Sequence, residues 1–269
     1  RRLIPQYPLP VIVVSSVNKA VFDALDAGAV DFVGKPDISS AAGVKNFINE
    51  MIKKIKIAST ARIMRGSPIH GQNIIRNENS GSDKIIAIGA STGGTEAISS
   101  IIKALPSNTP GIVIVQHIPP VFSRMFSERL DALSVLNVRE ARTGDLVVQG
   151  QVLIAPGDQH MKVIKIGAQY KVHCFKGDRV NGHCPSVDVL FESVAREAGK
   201  DAVGVILTGM GYDGAKGLLA MKKVGARTIG QDEKTSVVYG MPKVAFSIGA
   251  VDRQAPLTNI AQFIYRSVT

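Results

Sequence analysis

Three polar side chains close apolar runs in this sequence, and together they could carry out nucleophilic acyl transfer: Ser91, His117 and Asp213. A serine hydroxyl is too weakly acidic to attack a carbonyl at neutral pH, so it needs a base within hydrogen-bond reach and a carboxylate to orient that base. Ser91 lies in Gly89-Ala-Ser-Thr-Gly93, a Gly-x-Ser-x-Gly turn between the apolar run from Lys84 to Ile88 and a helix. In a nucleophile elbow such a turn lifts the central side chain above the sheet edge, beside backbone N–H groups, that of Thr92 among them, that can hold an oxyanion. The same letters suit a phosphate cradle at a helix N-terminus. The segment has neither the Gly-Lys-Ser/Thr ending of a P-loop nor the Gly-x-Gly-x-x-Gly spacing of a dinucleotide fold.

The histidines decide between these readings. His117 follows Gly111-Ile-Val-Ile-Val115 and precedes Ile118-Pro-Pro120, which places it at a strand end, where open α/β sheets gather functional residues. His70 in a polar linker and His173 within a hairpin read as solvated or structural. His160, in the turn after Ala155-Pro-Gly-Asp158, stays a candidate. His183, in the loop from Lys176 to Pro185, is a candidate substrate contact with a plain loop residue as the alternative. Asp213 is the carboxylate of Thr208-Gly-Met-Gly-Tyr-Asp-Gly214, after the run from Ala202 to Leu207. Its alternative role is N-cap of the helix that follows, and Asp158 is the competing carboxylate. The glycines around Met210 allow close approach of the backbone, so the Met210 amide is a further oxyanion donor. The order Ser, His, Asp differs from the Ser, Asp, His of α/β-hydrolases, but a triad is defined by geometry rather than by order.

The elements that must position these groups follow from the apolar patterning. Val-Ile-rich runs at Lys84–Ile88, Gly111–Val115, Val152–Ile154 and Ala202–Leu207 alternate with helical patterns, which predicts a doubly wound, mostly parallel α/β sheet. Met161–Ile166 and Tyr170–Phe175, joined through Gly167-Ala168, predict an antiparallel hairpin added to it. Upstream, Pro8 to Ile57 reads strand, helix, strand, helix: Val11–Val14, then Asn18–Ala27 with Val21, Phe22 and Leu25 on one face, then Ala29–Val33. The last of these helices carries Val44, Phe47, Ile48, Met51, Ile52 and Ile55 in a repeat that predicts a single buried stripe. Two strands and two helices are too little for an independent doubly wound domain. Residues 58–83 are rich in Ser, Thr, Gly, Asn and Pro and read as a linker to the catalytic region 84–269.

A chain of 269 residues with 45% hydrophobic composition has room for one large core or two smaller domains. No apolar run approaches the roughly 20 residues of a membrane helix and no leader pattern opens the chain, so a cytoplasmic protein without membrane insertion is expected. The opening at Arg1, without an initiator methionine, is expected of a fragment. Cys174 and Cys184 lack Cys-x-x-Cys spacing, which predicts free thiols and neither a disulfide framework nor a zinc site. A net charge of +10 favours acidic surfaces, but the basic residues are scattered and aromatics are sparse, so nucleic acid is not an expected partner.

Two resemblances sharpen these expectations. Val11-Ile-Val-Val-Ser-Ser16 with Ala27-Gly-Ala-Val-Asp-Phe-Val-Gly-Lys-Pro36 resembles the second half of a response-regulator receiver domain. That likeness implies that Ser15 and Lys35 are contacts for a phosphoryl group, while the acidic cluster and phosphoacceptor aspartate belong to a first half that this sequence does not contain. Ile88-Gly-Ala-Ser-Thr-Gly-Gly-Thr-Glu-Ala97, Gln116-His-Ile-Pro-Pro120, Ile154-Ala-Pro-Gly-Asp158, Pro185-Ser-Val-Asp-Val-Leu-Phe191 and Ile206–Gly214 resemble, in order and spacing, the bacterial chemotaxis protein-glutamate methylesterases. The resemblance implies Ser91 as nucleophile, His117 as base, Asp213 as orienting acid and backbone near Met210 at the oxyanion, with no cofactor and no metal. It implies demethylation of glutamate methyl esters on the cytoplasmic helices of chemoreceptors, and deamidation of receptor glutamines. It also implies regulation by a receiver that a histidine kinase of the chemotaxis pathway phosphorylates. Where that family carries arginine in the loop before Pro-Ser-Val-Asp, this chain has Gly182 and Cys184. The rival from another class is a phosphate- or nucleotide-binding regulatory module, which leaves His117 and Asp213 without a task.

Overall fold

The computed structural model describes residues 6–61, apart from 8, 17, 37 and 39, and residues 84–269. Most of the expected linker, His70 included, lies outside the described residues. The chain divides into two compact units, Arg1–Pro68 and Ile69–Thr269.

In the first unit, β1 (Ile12–Ser15) and β2 (Asp31–Gly34) pair in parallel and alternate with α1 (Asn18–Asp26) and α2 (Ala41–Ala58). Val21, Phe22 and Leu25 of α1 are buried, as their spacing predicts. Ser40 caps α2, its Oγ accepting from the Gly43 amide at 3.2 Å. The helix runs through Ala58, one residue past the predicted boundary. The prediction of a single buried stripe on α2 is corrected: Ile48, Ile52 and Ile55 remain 49%, 46% and 53% exposed. A two-stranded sheet is too narrow to cover the apolar face of an 18-residue helix. The Lys35 amide donates to the Ser15 carbonyl at 3.2 Å, so these two residues lie side by side where the paired strands end.

The second unit is built on a seven-stranded, all-parallel sheet. Its elements in chain order are β3 (Ile85–Ala90), α3 (Gly94–Ala104), β4 (Ile112–Gln116), α4 (Phe122–Leu133), β5 (Asn137–Glu140), β6 (Gln151–Ile154), β7 (His160–Ile166), β8 (Gln169–Phe175), α5 (Val187–Ala198), β9 (Ala202–Ile206), α6 (Ala215–Lys223), β10 (Arg227–Gln231), α7 (Met241–Ser247), β11 (Arg253–Ala255) and α8 (Leu257–Val268). Across the sheet the order is β11-β10-β9-β3-β4-β6-β5. The chain starts in the middle at β3, winds out through β4, and later returns to the other side of β3 with β9. Such a reversal opens a crevice at the carboxyl ends of the central strands. The central strands are buried throughout, because helices cover both faces and leave no polar side to alternate with. On one face Ile85, Ala87, Val113 and Val115 join Val187, Phe191 and Val194 of α5 with Leu218 and Met221 of α6 in one core.

Two expectations about strands are corrected. The hairpin β7-β8 is a separate two-stranded sheet rather than an addition to the large one. Its edges are already occupied: Val163 of β7 donates its amide to Ser193 Oγ on α5 at 2.9 Å, and β8 exchanges backbone bonds of 2.9 Å with residues 144–147. The strands β5, β10 and β11 were not among the predicted runs, because Asn137-Val-Arg-Glu140, Arg227-Thr-Ile-Gly-Gln231 and Arg253-Gln-Ala255 lack a Val-Ile run. β5 and β11 are the sheet edges, where charged residues discourage further pairing. No helix among the described residues is long and apolar enough to cross a membrane.

Candidate active site

Ser91, His117 and Asp213 come after the three adjacent central strands β3, β4 and β9. The turn at Ser91 is tied on both sides. Its amide donates to the Thr208 carbonyl at 3.0 Å, and its carbonyl accepts from Gln116 Nε2 at 2.9 Å and from the Gly94 amide at 2.7 Å. Gly93 has φ 77 and a Cβ there would stand 2.6 Å from Val237 Cβ, so no side chain fits. Gly209 is the second required glycine: a Cβ there would lie 2.7 Å from Ser91 Cβ. Contact of the β3 and β9 turns depends on that missing atom.

His117 follows β4, its amide bonded to the Ala90 carbonyl at 3.1 Å. Its Nε2 is 2.9 Å from Asp213 Oδ2, and the two side chains are 8% and 1% exposed. The Nδ1 atom is buried with no hydrogen-bond partner among the described residues.

Asp213 does not cap its own helix. Gly214, at φ 91, is the N-cap of α6, and the Asp213 carboxylate points across to the N-terminus of α5. It accepts from the Val187 amide and Ser186 Oγ at 2.7 Å, from the Asp188 amide at 3.2 Å and from Asn181 Nδ2 at 2.8 Å. Burial alone would push the Asp213 carboxyl up. The bond and charge of His117, with the bonds from Asn181 and Val187, outweigh it and hold the group well below the usual carboxylate range. Asp188 behaves oppositely: burial, which the Gly217 amide only partly offsets, and the Asp213 charge raise it. Asn181 Nδ2 joins the two, donating to Asp188 Oδ2 at 2.7 Å as well.

The oxyanion candidates lie on the two touching turns. The Thr92 amide shares its peptide with the Ser91 carbonyl, which Gln116 and the Gly94 amide hold, and the Thr92 carbonyl of the next peptide accepts from Thr208 Oγ1 at 2.9 Å, which ties the turn to the residues after β9. The Met210 amide donates to no acceptor among the described residues, while the Gly209 carbonyl before it accepts from Gly240 and Met241 at 3.1 and 2.8 Å. A Cβ on Gly240 would stand 2.6 Å from that carbonyl, so Gly240 sets the height of the Met210 turn.

The remaining sequence candidates separate cleanly. His183 stacks on His117, ring centroids 3.7 Å apart and planes 7° from parallel. His160 is structural: its Nε2 donates to the Asp178 carbonyl at 2.8 Å and its Nδ1 accepts from the Ser186 amide at 3.2 Å. His173 is exposed against Phe175. Asp158 is exposed in a left-handed turn at φ 58, and the carboxylate that meets His117 is Asp213. Ser15 and Lys35 belong to the other unit. Both cysteines are free, and burial, followed by the charges of Asp145 and Glu140, pushes the Cys174 thiol up to about 12. Sequence reasoning missed Asn181, Ser186, Asp188, Gln116 and Gly240. Asn181 had a local signal, since Asn181-Gly182 is a turn dipeptide, and Gln116, Ser186 and Asp188 lie inside motifs of the resemblance, but no spacing pointed to their contacts.

The CheB methylesterase family matches residues 86–264. A protein-glutamate methylesterase/protein-glutamine glutaminase of Syntrophomonas wolfei is 55% identical over 270 residues, covering 100% of this chain and 79% of that protein. The protein of the same name from Salmonella typhimurium is 45% identical over 260 residues, covering 95% of this chain and 74% of its own length. The crystal structure of the Thermotoga maritima CheB methylesterase catalytic domain superposes with a TM-score of 0.66 at 40% identity, over 68% of this chain and 97% of that one.

Two outcomes follow from this geometry. Gly209→Ala, by displacing Ser91, is expected to slow ester hydrolysis roughly 100-fold while costing about 1–3 kcal/mol of stability; undiminished turnover by the folded variant would show that the close approach is dispensable. Because the folded-state pKa of Asp213 lies below its unfolded value of about 3.9, its ionised form stabilises the fold above that value, and the contribution is lost as pH falls through the depressed one. Asp213→Asn should therefore lower the urea midpoint more at about pH 7 than at about pH 3; equal losses at the two values would contradict the depressed carboxyl.

Proposed function

The chain belongs to the CheB methylesterase family, and on that premise we propose that Ser91 is its nucleophile, His117 its general base and Asp213 the carboxylate that holds the base. The reaction is hydrolysis of protein glutamate methyl esters, with deamidation of protein glutamines as the second activity named for the relatives. The observation that carries the residue assignment is the His117 ring, with Nε2 on Asp213 and Nδ1 buried and unpartnered, on a backbone whose amide is bonded to Ala90, the residue before Ser91.

The Asp213 bond places the ring proton on Nε2, so Nδ1 is the basic atom. Nδ1 takes the Ser91 hydroxyl proton as Oγ bonds to the γ-carbonyl carbon of the methylated glutamate. The carbonyl oxygen becomes an oxyanion facing the Thr92 and Met210 amides, an interaction worth roughly 3–4 kcal/mol per donor in such sites. Asp213 stays ionised and stabilises the imidazolium. As the C–O bond to the methoxy group breaks, Nδ1–H protonates it and methanol leaves. Water, deprotonated by Nδ1, then cleaves the glutamyl ester of Ser91, and the proton returns to Oγ. For glutamine the leaving group is ammonia.

In the same reading the substrate surfaces are the methylated cytoplasmic helices of chemoreceptors, and the chain works in the cytoplasm. Residues 1–57 are half of a receiver, 58–83 a linker and 84–269 the catalytic domain. Ser15 and Lys35 face the phosphoryl group that a histidine kinase of the chemotaxis pathway supplies to the intact receiver. Their adjacency through the Lys35 amide to Ser15 carbonyl bond supports that assignment.

Ser91→Ala is expected to lower methanol release from a methylated receptor by roughly 10,000-fold or more, and His117→Ala to block labelling of Ser91 by a sulfonyl fluoride. Turnover retained by Ser91→Ala would remove the nucleophile assignment, and saturable nucleotide binding without esterase activity would favour a binding module instead. Acetyl phosphate should leave the 269-residue chain without aspartyl phosphate; a stable phosphoaspartate would overturn the half-receiver reading.

A further inference from the structure

The loop between β8 and α5 ends in a tight turn closed by reciprocal backbone bonds between Val180 and His183, each 3.0 Å. Its central residues, Asn181 and Gly182, have φ of 54 and 83. Positive φ at both positions is the geometry that an Asn-Gly pair adopts without strain. A Cβ on Gly182 would meet nothing within 4 Å, so it is this backbone conformation, and not crowding, that glycine serves here.

This turn sends one side chain to each member of the His117–Asp213 pair. Asn181 Nδ2 donates to Asp213 Oδ1 at 2.8 Å, and to Asp188 Oδ2 at 2.7 Å, which uses both of its protons. His183 lays its ring flat on His117 at 3.7 Å. We propose that Val180–His183 is a positioning clamp for the base and its carboxylate, in which Asn181 fixes the Asp213 carboxylate and His183 fixes the plane of the His117 ring. The proposal rests on the Ser–His–Asp reading above.

A single hydrogen bond at Nε2 leaves an imidazole able to rock about that bond, and rocking moves Nδ1 off the line to the nucleophile. A second ring at van der Waals separation opposes the motion. Stacked planes present no N–H to each other's nitrogens, so His183 relays no proton and acts through His117. The clamp is held at its root, because the buried His160 ring binds the Asp178 carbonyl before the turn and the Ser186 amide after it. Asp213 in turn receives Ser186, Val187 and Asp188 from the segment just beyond, so loop and carboxylate order one another.

The test uses the full chain carrying Asn181→Gly, which keeps the turn, and His183→Ala, with His183→Phe to restore a flat ring. Methanol release is measured alongside 15N imidazole spectra of His117. The two disruptive variants should lose kcat by roughly 10- to 100-fold with KM within about twofold, and should blur the single Nε2–H tautomer of His117. His183→Phe should recover most of both. A raised KM at unchanged kcat would make the turn a substrate contact and overturn the clamp, as would wild-type kcat and spectra in both disruptive variants. The spectra require no turnover, so they judge the clamp even if Ser91→Ala shows the nucleophile assignment to be wrong.

Discussion

The Asp213 carboxylate, buried at the N-terminus of α5, is the interaction on which the site depends. A carboxylate that is 1% exposed must collect donors or give up its charge, and this one collects the Val187 and Asp188 amides, Ser186 Oγ, Asn181 and His117. The helix end supplies unpaired amides and a positive dipole end to a negative group, and the negative group supplies an acceptor to the helix end. That mutual satisfaction joins β9 to α5 across the face of the sheet. Relieving it would leave the helix end, the loop before it and the imidazole without their shared reference point.

Glycines carry the second constraint, through the backbone contacts they permit. Gly93, Gly209 and Gly240 each occupy a place where a methyl group would collide within 2.5–2.6 Å. Gly209 lets the turns after β3 and β9 touch, Gly93 lets the β3 turn lie against Val237, and Gly240 lets the segment before α7 close on the Gly209 carbonyl. A motif such as Thr208-Gly-Met-Gly211 is therefore a statement about distance between two strands as much as about local conformation.

The sequence was most legible where its chemistry coincided with strand ends. Ser91, His117 and Asp213 stand out in the sequence because each comes after a Val-Ile-rich run, such runs mark central strands buried on both faces, and the structure brings His117 and Asp213 together at 2.9 Å. The same logic was blind to β5, β10 and β11, whose Arg, Asn, Gln and Glu residues interrupt the apolar pattern. It also placed the hairpin on the main sheet, since nothing in Met161–Ile166 announces that Ser193, thirty residues on, will occupy its edge amide. The exposed isoleucines of α2 show the limit of periodicity: a stripe says which side is apolar, and the width of the partner surface decides how much is covered. Asn181 and Asp188 could not be read at all as partners of Asp213, because their link to it exists only once the loop before α5 and the turn after β9 have met.

On the proposed assignment of Ser91 as nucleophile, the strand order β4-β3-β9 also accounts for the division of work between the two ring nitrogens. Neighbouring strands lie about 4.8 Å apart, so His117, just past β4, has the Ser91 turn one strand away and the Asp213 turn two strands away. An imidazole has a near nitrogen, Nδ1, beside its attachment to the chain and a far nitrogen, Nε2, at its tip. The tip is the atom that can span the middle strand to reach the carboxylate, which leaves the near nitrogen for the neighbour. In serine proteases the carboxylate takes Nδ1 and the serine takes Nε2. The opposite wiring that the proposed roles require follows from sheet topology: with Ser91 just past the middle strand, the ring is read from its base to its tip as proposed nucleophile first, carboxylate second.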